Sequence, residues 1–242
     1  MIKLCHRTGV ASVEVGRATG SLCAPSSDEL SVEEPLEIRL AAQREHSAPT
    51  SVAVTMRTPG EDVDLAAGFL FTEGIVAGAA DIEGIRRAGV SAVEVKLRPG
   101  VAPDATRLDR HSFVSSSCGA CGKRSIAAVR VASRHPIFPG APRLSPESIH
   151  RLPQALRAGQ SAFARTGGIH ASGLFDANGR LLALREDVGR HNALDKLIGS
   201  ELLAGRIPLS CGIVLVSGRV SFELVQKAAI AGSPVLGAVG AP

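Results

Sequence analysis

The stretch GIVLVSGRVSFELVQKAAIAGSPVLGAV, residues 212–239, decides the fold. Gly212 to Val216 is an apolar run without alternation, the pattern of a strand covered on both faces. Ser221 to Ala231 reads as a helix, and Pro234 to Val239 is a second apolar run. Strand, helix and strand in this order predict a crossover that sets two parallel strands in one sheet with a helix over them. The C-terminal half is therefore expected to be an α/β layer structure.

Working toward the N-terminus, Arg190 to Leu203 reads as a helix. Ile169 to Phe175 and Arg180 to Leu184 read as strands joined through Asn178 and Gly179, a pair that favours tight turns. Ser145, Pro146 and Glu147 open a helical region running to Ala164, which Pro153 is expected to kink or interrupt. In the N-terminal half, Leu36 to Leu40, Val52 to Met56 and Ser91 to Leu97 are strand candidates. Thr58 to Glu61 has capping-box spacing with Pro59 inside it, so a helix is expected over Asp64 to Glu73, ended by Gly74. Residues 1–30 mix Gly, Ser, Ala and Pro without a period and are expected to form a flexible arm. The organisation expected is thus an N-terminal α+β portion over 31–110, a mobile cysteine loop over 111–125 and an α/β portion over 126–242.

Apolar residues make up 45% of the 242 and charged residues 21%, which argues against general disorder and against a membrane class. No window is apolar enough for a signal sequence or a membrane span, so a cytoplasmic protein is expected. The net charge of +4 comes from scattered Lys and Arg rather than a basic run, and there is no Trp or Tyr on which bases could stack. These features point to a small phosphorylated ligand rather than to nucleic acid. Five cysteines, an odd count without an export signal, argue against a disulfide framework.

Cys118 and Cys121 lie among Ser115, Ser116, Ser117, Gly119, Ala120 and Gly122, with Lys123 and Arg124 immediately after. Small neighbours let the backbone swing out, and the two cations favour thiolate over thiol. A thiolate attacks sulfur, but the spacing alone leaves a zinc half-site and dithiol exchange open as well. A closed zinc site wants a second spaced pair, which Cys5, Cys23 and Cys211 do not supply.

Three turn-rich segments stand at the ends of regular elements. Arg165 to His170 contains Gly167 and Gly168; Arg185 to Asn192 contains Asp187, Gly189, Arg190 and His191; and Ser217, Gly218 and Arg219 join a buried strand to a helix. Backbone N–H groups at such helix starts, together with Arg190, make candidate sites for phosphate or pyrophosphate. Each segment alone also reads as an ordinary turn, with His170 a satisfied strand histidine and Arg190 a cap charge. His170 and His191 could equally be metal ligands or acid–base groups, and Asp187 could pair with Arg190 or accept from a guanine edge.

Taken in order, Glu33-Glu34-Pro35-Leu36, Thr58-Pro59-Gly60 with Ala67 to Leu70 and Thr72 to Ile75, Cys118 to Gly122, Arg165 to Gly168 with His170, Glu186 to Asn192, and Val216 to Arg219 closely resemble the formate dehydrogenase accessory sulfurtransferases, the FdhD family. The resemblance runs from about Glu33 to Pro242. It implies an α/β fold, a cytidine deaminase-like mixed sheet with helices on its faces, but without deaminase zinc chemistry: His170 is not followed by the H-x-E pattern, and Ser117 precedes Cys118 where a deaminase has proline. It further implies a sulfurtransferase that takes persulfide sulfur from a cysteine desulfurase. The acceptor would be the molybdenum or tungsten bis-guanine-dinucleotide cofactor, bound as substrate and destined for the formate dehydrogenase catalytic subunit.

By the same resemblance Cys118 would carry the persulfide and Cys121 would assist. Gly167, Gly168, His170, Asp187, Gly189, Arg190, His191, Ser217, Gly218 and Arg219 would meet the cofactor, no metal would be held by the protein itself, and the protein would be a homodimer. The other classes the residues admit are a cofactor-binding chaperone with incidental cysteines and a zinc hydrolase. Family members continue past the position of Ser233 to Pro242 with a further helix and strand, so the resemblance also implies a shortened C-terminal portion whose strand near Val235 to Val239 lacks cover.

Overall fold

The computed structural model describes residues 9–42, 48–103, 113–114, 135–137, 140 and 142–240. Its N-terminal strands are β1 (Val10–Thr19), β2 (Leu22–Ser31), β3 (Glu34–Leu40) and β4 (Thr50–Arg57), followed by helix α1 (Asp62–Thr72) and a short 3₁₀ turn, Ala79–Asp81. Then come β5 (Ile82–Arg87), β6 (Ala92–Leu97) and the two-residue β7 (Phe113–Val114). The C-terminal half holds α2 (Pro146–Gly159), α3 (Ser161–Thr166), β8 (His170–Phe175), β9 (Leu181–Asp187), α4 (Arg190–Leu203), β10 (Ile213–Val216), α5 (Phe222–Ile230) and β11 (Val235–Ala238).

The strands form a five-stranded mixed sheet in the order β5-β6-β3-β4-β7, a four-stranded mixed sheet in the order β11-β10-β8-β9, and a separate β1-β2 ribbon. The expected crossover is present: β10 and β11 pair in parallel from Ile213↔Val235 to Val216↔Ala238, with α5 between them in sequence. All of β10 is buried, as its unbroken apolar run predicts, because helices cover both faces of its sheet. Leu152 and Leu156 of α2 pack with Ala171, Phe175, Ile213 and Leu215 on one face, while Leu174, Val214 and Val216 face α4 and α5 on the other.

That second face belongs to a core shared by both halves of the chain. Leu36 and Ile38 from β3, Val93 and Val95 from β6, Leu65, Phe69 and Leu70 from α1, and Leu194, Leu197 and Ile198 from α4 form one cluster. Helix α1 is buried along nearly its whole length, as befits a helix packed on two sides. It meets α4 where Gly68 faces Gly199: a Cβ on Gly68 would lie 1.9 Å from the Asp195 carbonyl oxygen, and one on Gly199 would lie 1.9 Å from that of Asp64. The helices touch backbone to backbone. At that distance only glycine fits on either side.

Three local expectations are corrected. Residues 10–31 are not a loose arm but an antiparallel ribbon in continuous register from Val10↔Ser31 to Thr19↔Leu22. Its base is tied down by ion pairing of Arg165 with Glu29 and by a 2.8 Å bond between the Ser31 and Thr166 hydroxyls. The capping box at Thr58 does not form, since Glu61 is itself the N-cap of α1 in a left-handed conformation (φ 55°) with no side-chain cap bond. The Thr58 hydroxyl instead accepts the Val188 N–H at 3.1 Å, a contact between distant segments that outcompetes the local one. Pro153 stays inside α2 on its exposed side, and the helical region breaks at Gln160 rather than at the proline. The cap at Ser145, which accepts the Ser148 N–H at 3.1 Å, is as the sequence predicts.

Candidate functional site

The three turn segments meet at one end of the four-stranded sheet. Because β8 runs antiparallel to both β9 and β10, the start of β8 lies beside the ends of its neighbours: His170 pairs with Asp187, and Ser172 with Val216. The carboxyl ends of β9, β10 and β11 therefore gather with the first residues of α4 and α5, the position at which open α/β sheets bind ligands. A cleft of about 580 Å³ opens there. Gly167, Gly168, Ile169 and His170 line one side, Val188, Ser217 and Val239 another, and Arg157, Gln160 and Phe163 from the α2–α3 break a third.

Of the residues singled out in the sequence, Gly167, Gly168, His170 and Ser217 line this cleft, and Gly218 packs against His170. Ser217 closes the β8–β10 end twice, its N–H donating to the Ala171 carbonyl and its hydroxyl accepting the Ala171 N–H, both at 2.9 Å. Gly218 is pressed into the site: a Cβ there would stand 3.2 Å from two atoms of the His170 ring and 3.5 Å from the Arg190 Cδ. This close approach joins the three segments physically. Arg219, next in the chain, is exposed. Past β11 the backbone folds over this turn, with the Val239 N–H donating to Val216 at 3.0 Å.

The two histidines differ. Burial, then the nearby Arg190 charge, hold the pKa of half-buried His170 below the ordinary value, with Asp187 opposing them. His191 is pushed down to about 4, chiefly by burial, against the opposing pull of Glu223. Both imidazoles are therefore neutral near pH 7, when the positive charges in and beside the cleft are arginines.

Asp187 is fully buried, away from the cleft. Its carboxylate takes the Lys196 ammonium at 2.8 Å, the Thr58 N–H at 3.1 Å, the Gly189 N–H at 2.9 Å and the Asn192 amide at 3.2 Å. These partners occupy the oxygens that a guanine edge or Arg190 would need, so its position is that of a brace shaping the turn before α4. Lys196 extends the brace by donating to the Thr58 and Glu186 carbonyls at 2.9 and 3.3 Å. Asn192 donates to the Met56 carbonyl at 2.7 Å and accepts from the Thr55 hydroxyl at 3.2 Å.

Glu186 has a separate task. Its carboxylate accepts the Ala162 and Phe163 N–H groups, both at 2.9 Å, and so caps α3, which forms a wall of the cleft. Glu186→Ala should cost about 1 kcal/mol, as other lost helix caps do, and lower the Tm by roughly 2–4 °C. Faster amide exchange confined to residues 162–167 would accompany it. An unchanged exchange pattern would show that the cap does not hold that wall.

Sequence reasoning overlooked Arg157 and Phe163. The Arg157 guanidinium lies 4.1 Å from the Phe163 ring centroid across the α2–α3 break, and no periodic pattern spans such a break. It also overlooked Gln160 and Val239, which have no motif around them. Cys118 and Cys121, with Lys123 and Arg124, lie outside the described residues. The last described residue before them, Val114, pairs with Thr55, whose hydroxyl bonds Asn192 in the first turn of α4. No helix among the described residues is long and apolar enough to cross a membrane.

The family described as FdhD/NarQ matches residues 31–242. The sulfur carrier protein FdhD of Streptomyces coelicolor is 51% identical over 226 residues, covering 89% of this chain and 77% of the relative. That of Mycobacterium tuberculosis is 45% identical over 227 residues, covering 89% and 80%. That of Sulfolobus acidocaldarius is 36% identical over 233 residues, covering 96% and 85%. The crystal structure of a candidate formate dehydrogenase accessory protein from Desulfotalea psychrophila superposes with a TM-score of 0.71 over 95% of this chain and 84% of that one. At 24% identity that likeness establishes the mixed α/β fold alone.

Proposed function

Since the chain belongs to the FdhD/NarQ family, we propose that it is a sulfur carrier serving formate dehydrogenase, and that its cleft receives the nucleotide part of the cofactor to be sulfurated. Sulfur would come from a cysteine desulfurase. The Cys118 thiolate attacks the outer sulfur of the donor persulfide, the donor's S–S bond breaks, the donor cysteine leaves as thiolate, and Cys118 now bears the persulfide. Cys121 assists the onward step. The acceptor is the molybdenum or tungsten bis-guanine-dinucleotide cofactor, a substrate that leaves for the dehydrogenase, and the carrier works in the cytoplasm as a homodimer.

The observation that carries the cofactor part is the meeting of the three glycine-bearing turns at a cleft whose described lining includes Arg157 and His170 but no carboxylate. A dinucleotide with its pyrophosphates requires anion acceptance without competing negative charge. The starts of α4 and α5 bring the positive ends of their helix dipoles to this end of the sheet, and Arg190 and Arg219 add charge.

Intact mass after incubation with a cysteine desulfurase and cysteine tests the reading. A gain of one sulfur atom, absent in Cys118→Ala and retained in part in Cys121→Ala, is expected because only an activated, accessible thiolate accepts sulfur. No gain in folded wild-type protein would refute sulfur transfer. A Cys118→Ala variant that still matures an active dehydrogenase would point instead to a cofactor-binding chaperone.

A further inference from the structure

The break between α2 and α3 falls at Gln160, which ends the one helix and precedes Ser161 of the other. A polar side chain at a helix start commonly accepts from the N–H groups of the first turn. At α3 that task is taken by Glu186, which accepts the Ala162 and Phe163 N–H groups, and the Gln160 side chain makes no cap bond. The Gln160 backbone is occupied, its N–H donating to the Arg157 carbonyl at 3.3 Å and its carbonyl accepting the Ala164 N–H at 3.0 Å. The side-chain amide, by contrast, has no hydrogen-bond partner among the described residues, although Gln160 is only 5% exposed and lies in the cleft wall. Buried amides are satisfied in folded proteins, and one left without a partner costs about 1–3 kcal/mol. The partner it wants belongs in the cleft.

Its neighbours suit a planar ligand. Phe163 is half-buried in the same wall, and the Arg157 guanidinium lies 4.1 Å from its ring centroid. Nucleobases stack on aromatic rings and on guanidinium planes alike. A glutamine amide offers an N–H and a C=O side by side, which match the O6 and N1–H of guanine or the adjacent acceptor and donor of adenine. We propose that the α2–α3 break is a base subsite for a purine nucleotide, in which Gln160 reads the edge of the base and Phe163, with Arg157 against it, provides the surface on which the base stacks. The proposal rests on the reading of this cleft as a nucleotide site and divides one ligand between its walls: the base at the break, the phosphates at the turns that carry Gly167, Gly168 and Ser217.

The test is calorimetric titration of the full chain with GDP and, separately, with inorganic pyrophosphate. Wild type should bind GDP at least tenfold more tightly than pyrophosphate. Gln160→Leu, which removes both polar atoms at similar volume, should weaken GDP binding roughly tenfold, leave pyrophosphate binding in place and keep or raise the Tm, since it removes an unpaired buried amide. A structural role would give the reverse, a lower Tm with the GDP preference intact. Phe163→Leu should likewise weaken GDP binding about tenfold and spare pyrophosphate. Folded Gln160→Leu protein with wild-type GDP affinity, or with equal losses for GDP and pyrophosphate, would overturn the base subsite; should Phe163→Leu not fold, Gln160→Leu decides alone. A wild type that binds the two ligands equally would remove the base subsite and leave the anion reading standing, whereas one that binds neither would overturn the reading of the cleft itself.

Discussion

Gly199→Ala, and equally Gly68→Ala, is expected to lower the Tm by roughly 6–12 °C or more, which for a chain of this length corresponds to at least about 3 kcal/mol. The added Cβ at Gly199 would stand 1.9 Å from the Asp64 carbonyl oxygen and 2.7 Å from the Gly68 nitrogen, all of them backbone atoms with no rotamer to retreat to. Relief requires parting α1 from α4 along the centre of the main core, where Leu65, Leu194, Leu197 and Ile198 are wholly buried. Close packing transmits such a shift instead of absorbing it. The same parting would drag the start of α4, with Arg190 and His191, away from Gly218, so the variants should also bind pyrophosphate more weakly at temperatures where they remain folded. Thermal melting by circular dichroism measures the first effect. A Tm within a degree or two of wild type would mean that the two helices do not cross as closely as described.

Much of this architecture was legible in the sequence because the governing interactions are local or periodic. The bounds of α4 follow its apolar spacing, the β8–β9 turn follows Asn178 and Gly179, and the parallel β10–β11 pair follows from two apolar runs with a helix between. The failures share a different cause. Thr58 has the spacing of a cap, but its hydroxyl bonds Val188, well over a hundred positions away in sequence, and no local pattern encodes that choice. The β1–β2 ribbon reads as a loose arm because its stretch is rich in Ser, Gly and Ala. What secures its base is contact with Arg165 and Thr166 on α3.

The site was legible in the same uneven way. The turn glycines were visible as candidates, yet each alone was indistinguishable from an ordinary turn, and only the close approach of Gly218 to His170 and Arg190 joins them. Asp187 shows the limit most clearly. A carboxylate in a motif invites a ligand contact, whereas burial and four protein partners make it a brace, and burial is not written in the motif.

Lys227→Met should cost roughly 3–5 kcal/mol near neutral pH, because it strands buried carboxylates without their cation. The Lys227 ammonium reaches Asp195 at 2.8 Å, Glu223 at 3.5 Å and Glu73 at 3.7 Å, and donates to the Thr72 hydroxyl at 2.9 Å. Burial opposes its charge, but the three carboxylates together outweigh burial and hold its pKa above the ordinary lysine value. Asp195 is pushed up to about 6 by burial, with Lys227 pulling the other way. A carboxylate raised in the folded state contributes stability that is complete below its unfolded pKa of 3.8 and is lost as pH rises through about 6. Without Lys227 the Asp195 pKa climbs further, so the variant regains more stability than wild type on acidification. His191 has the opposite slope in wild type: depressed to about 4, it contributes stability above its ordinary 6.5 that is lost as pH falls through about 4. The Lys227 charge is among the causes of that depression, so its removal lifts the imidazole pKa and reduces the acid loss. Both changes act in one direction, and the deficit of Lys227→Met relative to wild type should shrink by about 1 kcal/mol or more between roughly pH 8 and pH 5. Urea denaturation of both proteins at the two pH values measures it. A deficit independent of pH would mean that the cluster's carboxylates do not take up the proton that the lysine's loss leaves them needing.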